Sequence, residues 1–138
     1  MKFQWNEKYS VHVHLLDDQH QHYFAILNRI VDKLDPPNFE KEEIRLLLSE
    51  LFDYASYHLD TEEALFEKYE YEGAEEHTIL HNYYRKTVTD LMQQIDDPGQ
   101  DLPLFFSKVV DFASEWFASH ILVEDQKYSH CFNEHGLV

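Results

Sequence analysis

The sequence predicts an all-α protein, an up-down-up-down four-helix bundle with an extended N-terminal arm, and three observations carry that reading. Long segments place apolar residues in steps of four and three, none alternates with a period of two, and turn-forming residues fall between the segments. A sustained four-three rhythm is the seam of helices packed nearly antiparallel, and short connections favour neighbours that run up and down. The 138 residues, 43% of them hydrophobic, suffice for one domain with one core.

The elements follow in chain order. Residues 1–17 fit no helix register, and Trp5, Tyr9, Val11 and Val13 are expected to form an apolar arm lying across the bundle. The bundle itself is expected over about residues 18–126, followed by a tail at 127–138. Its first stripe runs His20, Phe24, Leu27, Val31, Leu34 and ends at the turn Asp35-Pro36-Pro37-Asn38. The second runs Ile44, Leu48, Leu51, Ala55, His58, Glu62, Leu65, Tyr69 and ends near Gly73. The third runs His77, His81, Tyr84, Val88, Leu91, Ile95 and stops at Asp96-Asp97-Pro98-Gly99. The fourth runs Leu102, Phe106, Val109, Ala113, Trp116, His120, Val123. Proline fixes φ and glycine or asparagine accepts positive φ, so the connections carry turn chemistry. Asn38 and Asp101 are the expected N-caps, and Glu40, Glu42 and Glu43 suit a helix N-terminus.

Composition excludes several function classes. With 27 Asp+Glu against 11 Lys+Arg, the formal charge of −16 opposes both nucleic acid and an anionic membrane surface. No apolar stretch approaches the roughly 18 residues of a spanning helix, and the opening MKFQWNEKYS holds no signal-type apolar run. One cysteine, Cys131, cannot form an internal disulfide, so the chain is expected to be cytoplasmic, and it is expected to be a monomer.

The stripes contain an anomaly. His20, His58, Glu62, His77, His81 and His120 occupy seam positions where a bundle places Leu, Ile, Val or Ala. Burying such groups unsatisfied costs roughly 1–3 kcal/mol each, and six would consume a stability of about 5–15 kcal/mol. His20 lies near the start of its helix, His58 and Glu62 near the end of theirs, His77 and His81 near a start, and His120 near an end. In an antiparallel bundle all four sets fall at the same end. A metal cluster there would satisfy them together, since deprotonated imidazole and carboxylate are metal ligands. His12, His14, His22, His130 and His135 lie off the stripes and are expected at the surface, and Cys131 is incidental.

More ligands than the four of a structural zinc site imply two ions. Mixed imidazole and carboxylate suits iron, and less exclusively manganese or zinc. Glutamate dominates the carboxylate-rich di-iron bundles, whereas histidine dominates here. Neutral imidazoles leave a reduced centre less electron-rich, which favours binding O₂ over cleaving it.

Asp18-Gln19-His20, His58-Leu59-Asp60-Thr61-Glu62-Glu63, His77-x-x-x-His81 and Trp116-x-x-x-His120-Ile121-x-x-x-Asp125 together resemble the hemerythrins, as do the early Trp5 and Tyr9-Ser10-Val11 of their bacterial members. The resemblance covers nearly the whole chain, as a single hemerythrin-like domain. It implies reversible O₂ binding at a non-haem di-iron centre, two oxo- or hydroxo-bridged iron ions cycling between Fe²⁺ and Fe³⁺. Carried over by motif, His77, His81 and His120 hold one iron, His20 and His58 the other, and Glu62 and Asp125 bridge the pair. The iron with two histidines keeps a position open for O₂, and no residue is assigned as catalytic.

Asp125 comes from the resemblance alone. It follows His120 by five residues, about 140° around an ideal helix, so plain spacing prefers Glu124, and a local widening or a fraying end must bring Asp125 round. Two positions depart from the family pattern: His12 stands where bacterial members often have glycine, and Phe117 where leucine is frequent. Phe117, three residues before His120, is expected to lean toward the cluster as an O₂-pocket residue.

The function read from the sequence is O₂ transport, storage, delivery or sensing. The alternatives are a di-iron oxidoreductase acting on O₂, peroxide or nitric oxide, and a signalling module responsive to iron or O₂ through an unidentified partner.

Overall fold

The computed structural model describes residues 3–34 and 40–138. Four long helical rods carry the fold, and no β-strand occurs among the described residues. The first rod is α1 (His14–Asp32). The second is α2 (Lys41–Tyr54), continued through a π-helical segment, Ala55–Leu59, into α3 (Asp60–Lys68). The third is α4 (Ala74–Gln94). The fourth is α5 (Leu102–Glu115), prolonged by a second π-helical segment, Trp116–Glu124. A 3₁₀ turn, Asp125–Tyr128, then leads into the short α6 (Ser129–Glu134).

The helix starts have local causes. α1 begins at His14 rather than at residue 18, because Asp17 organises the turn ahead of it. Its carboxylate accepts the Ser10 hydroxyl at 2.6 Å and the Val11 N–H at 2.8 Å. His12 sits in that turn at φ 61°, the left-handed region where glycine is favoured. Asp101 caps α5 by accepting the Leu104 N–H at 3.1 Å. Asn38 and the turn around Pro36 and Pro37 lie outside the described residues, and Glu40 is the residue preceding α2. Between α3 and α4 the left-handed residue is Glu70, at φ 50°, not Gly73. Gly73 is there for space, since a Cβ would come within 2.8 Å of the Tyr71 hydroxyl.

The seam is buried along most of its length, with two exceptions at helix ends. Leu34 is 41% exposed because α1 stops before it, and Tyr23, Ile26 and Ile30 fill the core instead. Val123 is 50% exposed because the π-helical turn re-phases the fourth rod. The arm packs on the bundle. The rings of Trp5 and Tyr9 lie 5.4 and 5.3 Å from that of Phe24, while Val11 and Val13 join Leu16, Phe66, Tyr128 and Phe132 in a second cluster. The tail therefore has structure, with Phe132 buried and stacked 4.8 Å from Tyr128. Arm and tail close the same end of the bundle. Among the described residues no helix is long and apolar enough to cross a membrane.

Candidate metal centre

The π-helical segment of the fourth rod supplies the geometry that an ordinary helix denies. A π turn closes a wider ring than an α turn, so residues five apart approach the same face. In the fourth rod this brings Asp125 under His120: Asp125 is fully buried and its Oδ1 lies 3.0 Å from His120 Nε2. Glu124 turns outward to pair with Lys127 at 3.0 Å. In the second rod the segment Ala55–Leu59 carries His58, and Glu62 follows one turn later with Oε1 3.3 Å from His58 Nε2.

The seven residues converge with their nitrogen and oxygen tips facing inward. His20 Nε2 and Asp125 Oδ2 are 2.9 Å apart, as are His77 Nε2 and Asp125 Oδ1. His81 Nε2 lies 3.1 Å from Glu62 Oε1, and the Nε2 atoms of His77 and His120 face each other at 3.0 Å. Two sets of ligand atoms, each within 4.8 Å of one another, overlap here. One comprises Glu62, His77, His81, His120 and Asp125, the other His20, His58, Glu62 and Asp125. The two carboxylates belong to both sets.

Side chains behind the cluster fix which ring nitrogen points inward. His58 Nδ1 donates to Gln19 Oε1 at 2.5 Å, and His81 Nδ1 donates to Glu63 Oε2 at 2.6 Å. Arg85 in turn lies 2.8 Å from Glu63. With Nδ1 protonated, each Nε2 turns a lone pair to the interior. Sequence reasoning did not assign these partners, although Gln19 adjoins His20 and Glu63 adjoins Glu62. Aromatic rings wall the site. Trp116 stacks on His120 at 3.9 Å, Tyr54 on His58 at 4.9 Å, and Phe66 lies 4.8 Å from His77.

The electrostatics are those of two buried carboxylates set among imidazoles. Burial pushes the Asp125 carboxyl up, but His120, His20 and His58 outweigh it and hold the group well below the usual range. Burial and Asp125 likewise push Glu62 up, and His58 and His81 bring it below its ordinary value. Burial lowers His81, yet the facing carboxylates of Glu62 and Glu63 raise it to about 9. Burial also lowers His20, and Asp125 reverses this to leave it raised. His58 is left lowered, by burial. Without metal, protons on imidazole compensate the buried carboxylates. Even so, His58 Nε2, His81 Nε2, both Glu62 oxygens and Asp125 Oδ1 have no hydrogen-bond partner. Orphaned acceptors aimed at one point in a dry interior fit cations that displace those protons.

A family model described as the hemerythrin HHE cation binding domain matches residues 11–130. The chain belongs to the hemerythrin family. Among its relatives, a bacteriohemerythrin of Clostridium acetobutylicum is 25% identical over 128 residues, covering 91% of this chain and 98% of that protein. Myohemerythrin-1 of Phascolopsis gouldii is 26% identical over 125 residues, 90% of this chain and 89% of the other. The crystal structure of a hemerythrin leucine-to-tyrosine mutant superposes with a TM-score of 0.80, over 94% of this chain and 95% of its own, at 24% identity. The all-helical bundle is thus the hemerythrin fold.

Phe117, expected from the sequence to lean toward the cluster, is buried. Its ring packs against Phe3 and Phe24, each at 5.0 Å, and Tyr9 at 6.1 Å. It forms a layer with the arm and with Phe24, which lies four residues along α1 from His20. A cleft of about 160 Å³ reaches His120 from the opposite side, between Leu80, Tyr83, Phe112 and Trp116. His12, His14, His22, His130 and His135 are exposed.

Proposed function

We propose that this hemerythrin-family chain binds O₂ reversibly at a non-haem di-iron centre, serving oxygen transport, storage, delivery or sensing. The observation that carries the proposal is the pair of overlapping ligand sets sharing Glu62 and Asp125, with their inward acceptors unpartnered. His77, His81 and His120 would hold one iron and His20 and His58 the other, with Glu62 and Asp125 bridging. Iron bound there supplies two one-electron changes and a coordination position for O₂.

The chain's own residues do the rest. Gln19 and Glu63 hold His58 and His81 in the tautomer that presents Nε2. Trp116, Tyr54 and Phe66 pack against the imidazoles and exclude water, which protects a bound oxygen species from protons. No side chain is assigned as a catalytic acid or base, and the protein is proposed to be a cytoplasmic, monomeric carrier rather than an enzyme.

The test is metal analysis followed by exposure of the reduced protein to O₂. Two irons per chain and a charge-transfer band that vanishes when O₂ is withdrawn are the expected results. Steady consumption of O₂, peroxide or nitric oxide, with no band that reverses, would replace this reading with that of a di-iron oxidoreductase. Predominantly zinc after expression in ample iron, or one metal per chain, would remove the di-iron reading altogether.

A further inference from the structure

Two buried phenols, Tyr23 and Tyr84, stand in equivalent places about the bundle. Tyr23 on α1 donates to the Ala113 carbonyl at 2.6 Å, and Tyr84 on α4 donates to the Leu51 carbonyl at 2.8 Å. Both side chains are fully buried, and each bond crosses between rods. The spacing repeats. Tyr23 lies three residues after His20 and Tyr84 three after His81, while Ala113 and Leu51 each lie seven residues before a histidine, His120 and His58. Each accepting carbonyl sits in the last α turn before a π-helical segment, Trp116–Glu124 in one case and Ala55–Leu59 in the other.

We infer that Tyr23 and Tyr84 are positioning residues that set where each helix widens, and so where His120 with Asp125 and His58 with Glu62 meet the site. A carbonyl that gives a lone pair to a phenol is drawn off the helix axis, and its own ladder bond loosens, as when a side chain inserts into the backbone ladder. The widening then has a fixed starting point. Each phenol also ties one rod that carries inward histidine to another, so the two halves of the cluster are located by one device used twice. Tyr54 marks the contrast, being equally deep but with a hydroxyl that has no hydrogen-bond partner.

The inference rests on the metal reading only in its second readout. Tyr23→Phe and Tyr84→Phe remove one oxygen each and keep the ring. Ile30→Val, a core truncation toward the far end of α1, serves as the control for general loss of stability. In the metal-free chain, hydrogen exchange should quicken on the order of tenfold at Trp116–Glu124 in Tyr23→Phe and at Ala55–Leu59 in Tyr84→Phe, each leaving the other segment near wild type. Affinity for Co²⁺, used as the probe ion, should fall about tenfold or more in both variants and stay unchanged in Ile30→Val. Exchange that quickens evenly along all rods, or Co²⁺ affinity matching the control, would overturn the inference and leave the phenols as packing residues. Wild-type protein that takes up no metal would overturn the metal reading instead, while the exchange pattern still decides the role of the phenols.

Discussion

At the scale of the residue, the choice between Asp125 and Glu124 separates two geometries. Asp125 is buried among imidazoles, whereas Glu124 pairs with Lys127 on the outside. Asp125→Ala should deplete the protein of iron, measured by metal analysis and by loss of the bridged-iron absorption, while Glu124→Ala should retain both. The reverse outcome would mean that the helix stays α and that spacing of four governs. Phe117 poses a different question because its ring joins an aromatic layer with Phe3, Tyr9 and Phe24. Truncation to alanine should cost about 3–5 kcal/mol in unfolding free energy. If the aromatic layer excludes water, the same variant should lose its O₂ complex faster than wild type at temperatures where both are folded. Equal decay with iron retained would reduce Phe117 to packing. The histidines and Glu62 were legible in the sequence because polar groups interrupt an apolar rhythm. Asp125 was reachable only through family resemblance, since its i+5 register belongs to a π turn that no propensity encodes. Gln19 and Glu63 were harder still, because a polar residue beside a buried histidine looks the same whether or not it holds the ring.

At the scale of the element, capping and turn chemistry carry stability without touching the centre. Asp101→Ala should lower stability by about 0.5–2 kcal/mol through loss of the hydrogen bond to the Leu104 N–H. Thermal unfolding should register this with iron content unchanged, and a loss of iron would show that α5 transmits its start to its far end. The rods themselves were readable from the four-three rhythm, which needs only that one face be buried. Their ends were not. α1 gained residues through Asp17, whose bonds reach back into the arm, and the left-handed residue before α4 proved to be Glu70 while Gly73 answers a steric demand from Tyr71. These are contacts between parts of the chain rather than properties of a single window.

At the scale of the whole molecule, the cluster couples folding to protons and, on the proposed di-iron reading, to metal. His81 is raised to about 9 from 6.5 in the metal-free chain. A raised histidine contributes stability that is fully present below its unfolded value and is lost as pH rises through its folded one. Metal-free protein should therefore lose stability between about pH 6.5 and pH 9, as read by denaturant unfolding across that range. The iron-loaded protein should not follow, because metal replaces those protons and favours deprotonated ligands. Parallel curves for the two forms would show that His81 is not among the groups displaced. Removing the metal with a chelator at neutral pH should lower the unfolding temperature, since ions that bind only the folded state stabilise it by mass action.

The position of Asp125 in the chain also bears on biogenesis. It is the last of the seven inward residues to leave the ribosome, more than forty residues behind His81, and Tyr128 and Phe132 follow it. At ordinary rates of synthesis that interval is on the order of several seconds. During it, most of the imidazoles exist while the second shared carboxylate and the aromatic plug do not. An ion held by both shared carboxylates could therefore enter only after Asp125 has been made, with Tyr128 and Phe132 closing over it afterwards.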